Sequence, residues 1–517
     1  MKYQEFLQRK SQLNGDYGFD PVWMPGNLFA FQKSLVEWAC RKGRAAIFAD
    51  CGLGKTPMQL TWAENVARKT DGKVLILTPL AVAFQTVKEG EKFGIEVKHR
   101  REGIKPGDRI VVTNYERLHL FNADDFTGVV CDESSILKNF DGETRKAVTD
   151  FLRKRPYRLL CTATAAPNDY LELGTSSEAL GVLERKHMLA QFFTHDGGDT
   201  SSWVLKGHAR SSLFWRWVGS WARAMRKPSD IGFEDGAFRL PPLDIRQHVV
   251  TAARPRDGYL FDIPAIGLEE QRADLRNTIA ERCEMAAQLV NATEGPSLCW
   301  CNLNEEGVRL NKMIPNSVEV AGHHSDEFKE DAIRWFSGEM CNCVLTTKHP
   351  HVRLQPCTHG KDGCKCERQK KTKSTCEITT ALIAANTNEQ ESNKTNTTRG
   401  DASCEHPNTS KRTLISKPTI FGFGVNLQHC AHQTYFPSHS YEQYYQCVRR
   451  CWRFGQKHPV TVDMITTNGQ ENVLANLQRK TVQASAMFDR LVEMMWREIK
   501  IETRNEYIEK EEVPAWL

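Results

Sequence analysis

Two glycines, a lysine and a threonine in FADCGLGKTPMQL, residues 48–60, have the spacing to hold a phosphate chain. Backbone N–H groups turned inward at Gly52 and Gly54 would cradle phosphate oxygens. Lys55 would reach the terminal phosphates and the Thr56 hydroxyl would serve Mg2+. A helix starting near Thr56 would aim its positive end at the same charge. The G-x-x-x-x-G-K-T pattern is broken at its first position, Ala49, so the run by itself also fits a plain strand–turn–helix. A second element, VVCDESS at 129–135, puts Asp132 and Glu133 just past an apolar run. Asp132 could hold Mg2+ through its water shell while Glu133 orients or deprotonates an attacking water. An acidic pair also caps helices; a phosphate loop in the same sheet favours the chemical role. In YYQCVRRCWRFGQ, residues 444–456, Arg450 and Arg453 are three apart and share one helical face. They could neutralise charge on a transferring phosphoryl group, or simply form a solvated basic face.

These groups need a scaffold that brings distant segments together. The chain has 517 residues, enough for two to four domains. Its 40% hydrophobic and 26% charged content describes an ordinary globular protein rather than a disordered one. The net charge of +5 permits a nucleic-acid partner without requiring one. The opening MKYQEFLQRKSQLN lacks the apolar core of a signal peptide, and no apolar run reaches the ~18 residues of a membrane span. Many of the 17 cysteines, such as Cys131 and Cys161, sit inside apolar runs, which suits buried thiols in a reducing cytoplasm.

Residues 1–184 alternate the runs RAAIFAD, KVLILTP, RIVVTNY, GVVCDES and YRLLCTAT with amphipathic stretches. That predicts a doubly wound parallel α/β domain with its ligand site at the carboxyl ends of the strands. Residues 185–240 are rich in Trp and Arg, and SLFWRWVGSWARAMRKPSD reads as helical. Trp215, Trp217 and Trp221 there either pack against the rest of the chain or track a nucleic-acid strand, packing being the more ordinary role. Residues 241–475 form a second α/β series, with strands expected in PSLCWCNLN, NSVEVAG, either NCVLTT or TLISKP, QTYFPSH and VTVDMIT. Residues 476–517 read as a helix and a tail. Residues 345–413 hold no Phe, Tyr or Trp and read as a polar insertion in the second series. Within it Cys357, His359, Cys364 and Cys366 offer Zn2+ ligands, although their spacing matches no standard finger.

Taken together and in order, ADCGLGKT, CDESSILKN, CTATAAPND and QCVRRCWRFGQ resemble the motifs of superfamily 2 helicases of the DEAD/DEAH type. The Swi/Snf-like branch fits best, particularly its phage and bacterial members. LFAFQKSLVEWA, LILTPLAVAFQTVKEGEKF, VVTNYERL, MRKPSDIGFEDGAFRLPPLDIRQHVV and GFGVNLQHC extend the resemblance over roughly residues 25–475, apart from the insertion. The resemblance implies two RecA-like doubly wound lobes with ATP in the cleft between them, plus a helical C-terminal segment. It implies Gln32 at the adenine and Lys55 and Thr56 at phosphate and Mg2+. Asp132 would bind Mg2+, Glu133 would activate water, and Arg450 and Arg453 would act from the second lobe. Gln456 would lie at the lobe interface, and Thr162 and Thr164 would couple hydrolysis to nucleic-acid grip. The implied activity is a DNA-dependent ATPase, a translocase or helicase acting as a monomer in the cytoplasm on double-stranded DNA with little sequence preference. Two alternatives stay open: a nucleic-acid-binding protein whose ATPase the insertion impairs, and an RNA helicase.

Overall fold

A computed structural model describes residues 16–79, 82–138, 142–165, 170–196, 199–207, 213–236, 238–251, 268–354, 411–422 and 425–508. Residues 355–410, and with them Cys357, His359, Cys364 and Cys366, lie outside the described residues.

The first lobe begins with α1 (Ala30–Lys42), β1 (Arg44–Ala49), α2 (Lys55–Thr70), β2 (Val74–Thr78) and α3 (Ala83–Lys92). It continues through β3 (Val97–His99), β4 (Ile110–Asn114), β5 (Gly128–Asp132), α4 (Glu143–Arg153) and β6 (Tyr157–Thr162). After α5 (Leu173–Leu180) and α6 (Arg185–Phe192) comes an antiparallel hairpin, β7 (Phe193–Asp196) and β8 (Asp199–Leu205). Then follow α7 (Phe214–Gly219) and β9 (Ala222–Met225). Seven strands form one parallel sheet in the order β3-β4-β2-β5-β6-β1-β9. β2, β4 and β5 are buried along their whole length, which explains why they read as unbroken apolar runs: helices cover both faces.

The second lobe holds β10 (Leu243–Val250), α8 (Leu268–Asn277), α9 (Ile279–Ala292), β11 (Ser297–Trp300), α10 (Asn304–Met313) and β12 (Ser317–Val320). It continues with α11 (Asp326–Phe336), α12 (Asn342–Lys348), β13 (Thr413–Ser416), α13 (Pro418–Phe421), β14 (His432–Tyr435), α14 (Tyr441–Cys451) and β15 (Val460–Thr467). Its six strands are ordered β10-β15-β14-β11-β13-β12, and every pairing is parallel. Two doubly wound parallel α/β lobes followed by a C-terminal helix, as expected, are the fold observed. That helix, α15 (Glu471–Ile508), spans both lobes. Leu474, Leu477 and Ala484 join the second lobe's core, whereas Leu491 and Met495 join the first lobe's. Among the described residues no helix is long and apolar enough to cross a membrane.

Two details differ from or sharpen the sequence expectation. The stretch 214–226 is helical only over α7; Ala222–Met225 is a strand that docks on β1 as the sheet's edge. The Ala46 N–H donates to the Trp221 carbonyl, so sheet pairing takes the backbone that a longer helix would have used. Trp215, Trp217 and Trp221 are all buried, in ring contact with Phe214 or one another, so they pack rather than track a strand. The choice between NCVLTT and TLISKP also resolves. Thr413–Ser416 fills the strand between β11 and β12, while Asn342–Lys348 forms α12. Trp335 Nε1 donates to Asn342 Oδ1 at 2.7 Å and anchors the start of that helix.

Candidate nucleotide-binding cleft

Sheet order assembles the first half of the site. β5, β6 and β1 are neighbours, with Asp132 opposite Cys161 and Thr162 opposite Phe48. The phosphate-type loop, the acidic pair and the two threonines therefore leave adjacent strands at their carboxyl ends, where doubly wound sheets bind ligands. The loop is built as its glycines predict. Gly52 and Gly54 have φ of +89° and +76°, which side chains disfavour, and α2 starts directly at Lys55. A Cβ at Gly54 would lie 2.2 Å from Gln32 Nε2.

Gln32 is buried and braces the loop: its Nε2 donates to the Leu53 carbonyl at 2.9 Å, and its Oε1 accepts from Phe29 N at 3.0 Å. Lys55 Nζ reaches back to the Ala49 carbonyl at 3.0 Å. Asp132 and Glu133 are both buried. Asp132 Oδ1 accepts from Gln59 Nε2 at 2.6 Å, and its carbonyl accepts from the Tyr115 hydroxyl at 2.6 Å. Burial, reinforced by the neighbouring Glu133 charge, pushes the Asp132 carboxyl up to about 6. Glu133 holds a left-handed φ of +51°, a conformation that a non-glycine residue keeps only when its surroundings enforce it. Thr162 Oγ1 donates to Glu133 Oε2 at 3.3 Å and accepts from Thr164 N at 3.1 Å, linking both threonines to the acidic pair.

The second lobe contributes α14, whose first turn is capped by the Ser440 hydroxyl accepting from Gln443 N at 3.3 Å. Arg450 is held by its own lobe, through Gln446 O at 2.9 Å, Gln446 Oε1 at 2.7 Å and Val425 O at 3.1 Å. Its Nη2 also lies 3.9 Å from Cys51 Sγ in the loop. Arg453 Nε is buried without a hydrogen-bond partner. Burial and the neighbouring Arg450 charge lower this guanidinium to about 10, with Glu133 among the groups acting the other way. An unpartnered cationic donor facing a glycine loop suits an anion, so these residues fit a nucleotide triphosphate. Gln456 is not drawn into the cleft: its Nε2 donates to Cys430 O at 2.9 Å and its Oε1 accepts from His458 N at 3.0 Å, both in the second lobe.

Three further residues join the lobes here. Arg449 forms a buried ion pair with Asp50, and the Tyr445 hydroxyl donates to the same carboxylate. Burial opposes the Arg449 charge, but the Asp50 carboxylate outweighs it and holds the guanidinium above its ordinary range. The adjacent arginines at 449 and 450 were a visible signal; which of them takes the Asp50 carboxylate was not. Phe454 continues the contact and joins the first lobe's core, its ring 5.7 Å from that of Phe238.

The fold and cleft define a two-lobed α/β protein with a phosphate-type loop on one lobe and arginines facing it from the other. No family model matches the chain. The mouse protein described as DNA annealing helicase and endonuclease ZRANB3 is 27% identical over 180 residues, covering 31% of this chain and 17% of that protein. The matched part is thus a small fraction of the relative's length. The Sulfolobus solfataricus SWI2/SNF2 ATPase core in complex with dsDNA aligns over 93% of this chain and 96% of that chain, at 14% identity and a TM-score of 0.35.

Proposed function

We propose that this chain is an ATP-dependent motor on double-stranded DNA, a translocase or helicase of the Swi/Snf-like branch. One observation carries the proposal. Gly52, Gly54, Lys55, Asp132, Glu133, Thr162 and Thr164 meet at the ends of β1, β5 and β6, with Arg450 and Arg453 facing them from the second lobe. The ordered motifs of the sequence and the 180-residue match to the mouse protein described as a DNA annealing helicase support the same assignment.

In this proposal the inward N–H groups of the loop and Lys55 bind the phosphates, and Thr56 and Asp132 hold Mg2+. When bound, the ion neutralises phosphate charge. Glu133, kept in place by Thr162, takes a proton from the attacking water. Arg450 and Arg453 stabilise charge on the transferring phosphoryl group only when the lobes are closed, which ties hydrolysis to lobe motion. Gln32 acts through the loop it braces and contacts the adenine. Grip on DNA falls to the phosphate backbone, so binding is sequence-tolerant and weakens steeply with salt. The phage or bacterial origin, cytoplasmic site and monomeric state belong to the same proposal.

The test is ATP hydrolysis by the full chain with and without duplex DNA or RNA, alongside Lys55→Ala. The expected result is turnover stimulated by duplex DNA and abolished in Lys55→Ala. Stimulation by RNA alone would replace the DNA reading. A silent full chain that becomes active once residues 355–410 are removed would assign it an impaired ATPase.

A further inference from the structure

We propose that Asp50, Tyr445 and Arg449 form an inter-lobe latch that positions Arg450 and Arg453 against the phosphate loop. The role rests on the ATPase reading above, but the contacts are independent of it.

Asp50 opens the loop. Its backbone N–H donates to the Met225 carbonyl of β9 at 3.1 Å, and its Oδ1 accepts from Cys51 N at 2.6 Å. The carboxylate is thereby fixed to the first lobe's sheet. Its remaining capacity goes across the cleft, to the Tyr445 hydroxyl and the Arg449 guanidinium. Tyr445 and Arg449 are four apart on α14 and share a face. Arg449 is 1% exposed and sits among aromatic rings, 4.9 Å from Trp452, 5.7 Å from Tyr445 and 5.9 Å from Phe454. Its Nη2 also approaches the Cys51 carbonyl at 3.4 Å. Of the other pairs between the lobes, Lys88–Glu339 at 2.8 Å is solvent-exposed and Arg117–Asp326 at 3.9 Å half-exposed, so salt screens both. Lys138, itself partly exposed, pairs with the buried Glu442 in the first turn of α14, away from the loop. The Asp50–Arg449 pair is buried and hydrogen-bonded, so it sets the register of α14 on the loop.

That register decides where the next residues fall. Arg450 lies one position on, with Nη2 3.9 Å from Cys51 Sγ. Phe454 comes so close that a Cβ at Gly52 would lie 2.9 Å from its backbone nitrogen. The latch residues act through Arg450 and Arg453; they are positioning residues, not catalytic ones. Losing them leaves Lys55 and the loop intact for ATP binding but lets the arginines drift from the transferring phosphate.

The experiment compares full-length wild type, Asp50→Asn, Arg449→Gln, the double variant, Arg449→Lys and Lys55→Ala. The readouts are kcat and KM for ATP with duplex DNA, a thermal melt of each protein, and small-angle scattering without nucleotide. The expected result is a kcat lowered about 10- to 100-fold in each latch single variant, the scale of an ångström's misplacement, with KM changed less than about threefold. The double variant should be no worse than the worse single, because the two act as one unit, and Arg449→Lys should recover part of the loss. Latch variants should scatter as more extended particles. Unchanged kcat in well-folded single variants, beside a silent Lys55→Ala, would overturn the latch and leave the ATPase reading standing. Multiplicative losses in the double variant would also overturn it. If wild type hydrolyses no ATP, the ATPase reading fails. Scattering then still decides the latch: expansion supports it and an unchanged curve overturns it.

Discussion

Replacing Asp132 by asparagine should stabilise the first lobe at neutral pH while removing activity. The carboxyl is buried, and its pKa rises from 3.8 to about 6 because of burial and the Glu133 charge beside it. Between those two values the folded chain keeps a proton that the unfolded chain releases. Stability therefore falls as pH rises across that window and stays low above it. A shift of about two units corresponds to ~3 kcal/mol, the cost of holding the ionised carboxylate in the fold. Asparagine keeps an oxygen for Gln59 Nε2 and carries no charge, so Asp132→Asn should recover most of that energy at pH 7.5 and almost none near pH 4. For a lobe of about 200 residues, ~3 kcal/mol is a rise of roughly 6–12 °C in Tm. The assay is a thermal melt of wild type and variant from pH 4 to 8, without and then with Mg2+. The ion should narrow the gap, because it favours the ionised carboxylate of wild type alone. An equal Tm difference at pH 4 and pH 7.5, or a destabilised variant at pH 7.5, would refute the burial argument.

Gly52→Ala should cut turnover about tenfold or more while costing only ~1–2 kcal/mol of lobe stability, since φ is +89° and the new Cβ meets the Phe454 backbone at 2.9 Å; turnover within twofold of wild type would contradict this. Trp217→Ala should destabilise the first lobe by about 3–5 kcal/mol in a denaturant titration and leave the salt dependence of DNA affinity unchanged, because its ring packs in the core. Arg282→Met should cost about 3 kcal/mol or more of second-lobe stability, measured the same way, because it strands the Glu306 carboxylate where both partners are fully buried.

The chemistry-bearing loops were legible because each is local. FADCGLGKT carries its glycines, lysine and threonine within one turn, and VVCDES carries its acids on the end of one strand. The parallel strands were legible because full burial writes an unbroken apolar run. The Ala222–Met225 strand was not, since four residues alternate too briefly to be told from one helical turn. The two flanks of the insertion could not be ranked either, because CVLTT and TLIS have similar β-branched content. Pairing with β11 and β12 on both sides selected Thr413–Ser416.

The sequence by itself marked which residues could bind a nucleotide and that two successive α/β series carry them, because motif spacing and burial periodicity act over a few residues. Tertiary structure alone decided that β5, β6 and β1 lie side by side and that α15 spans both lobes. It also decided that Arg449, rather than its neighbour, takes the Asp50 carboxylate 399 positions away. No local pattern encodes a pair at that separation; it exists only because two separate sheets meet at that face.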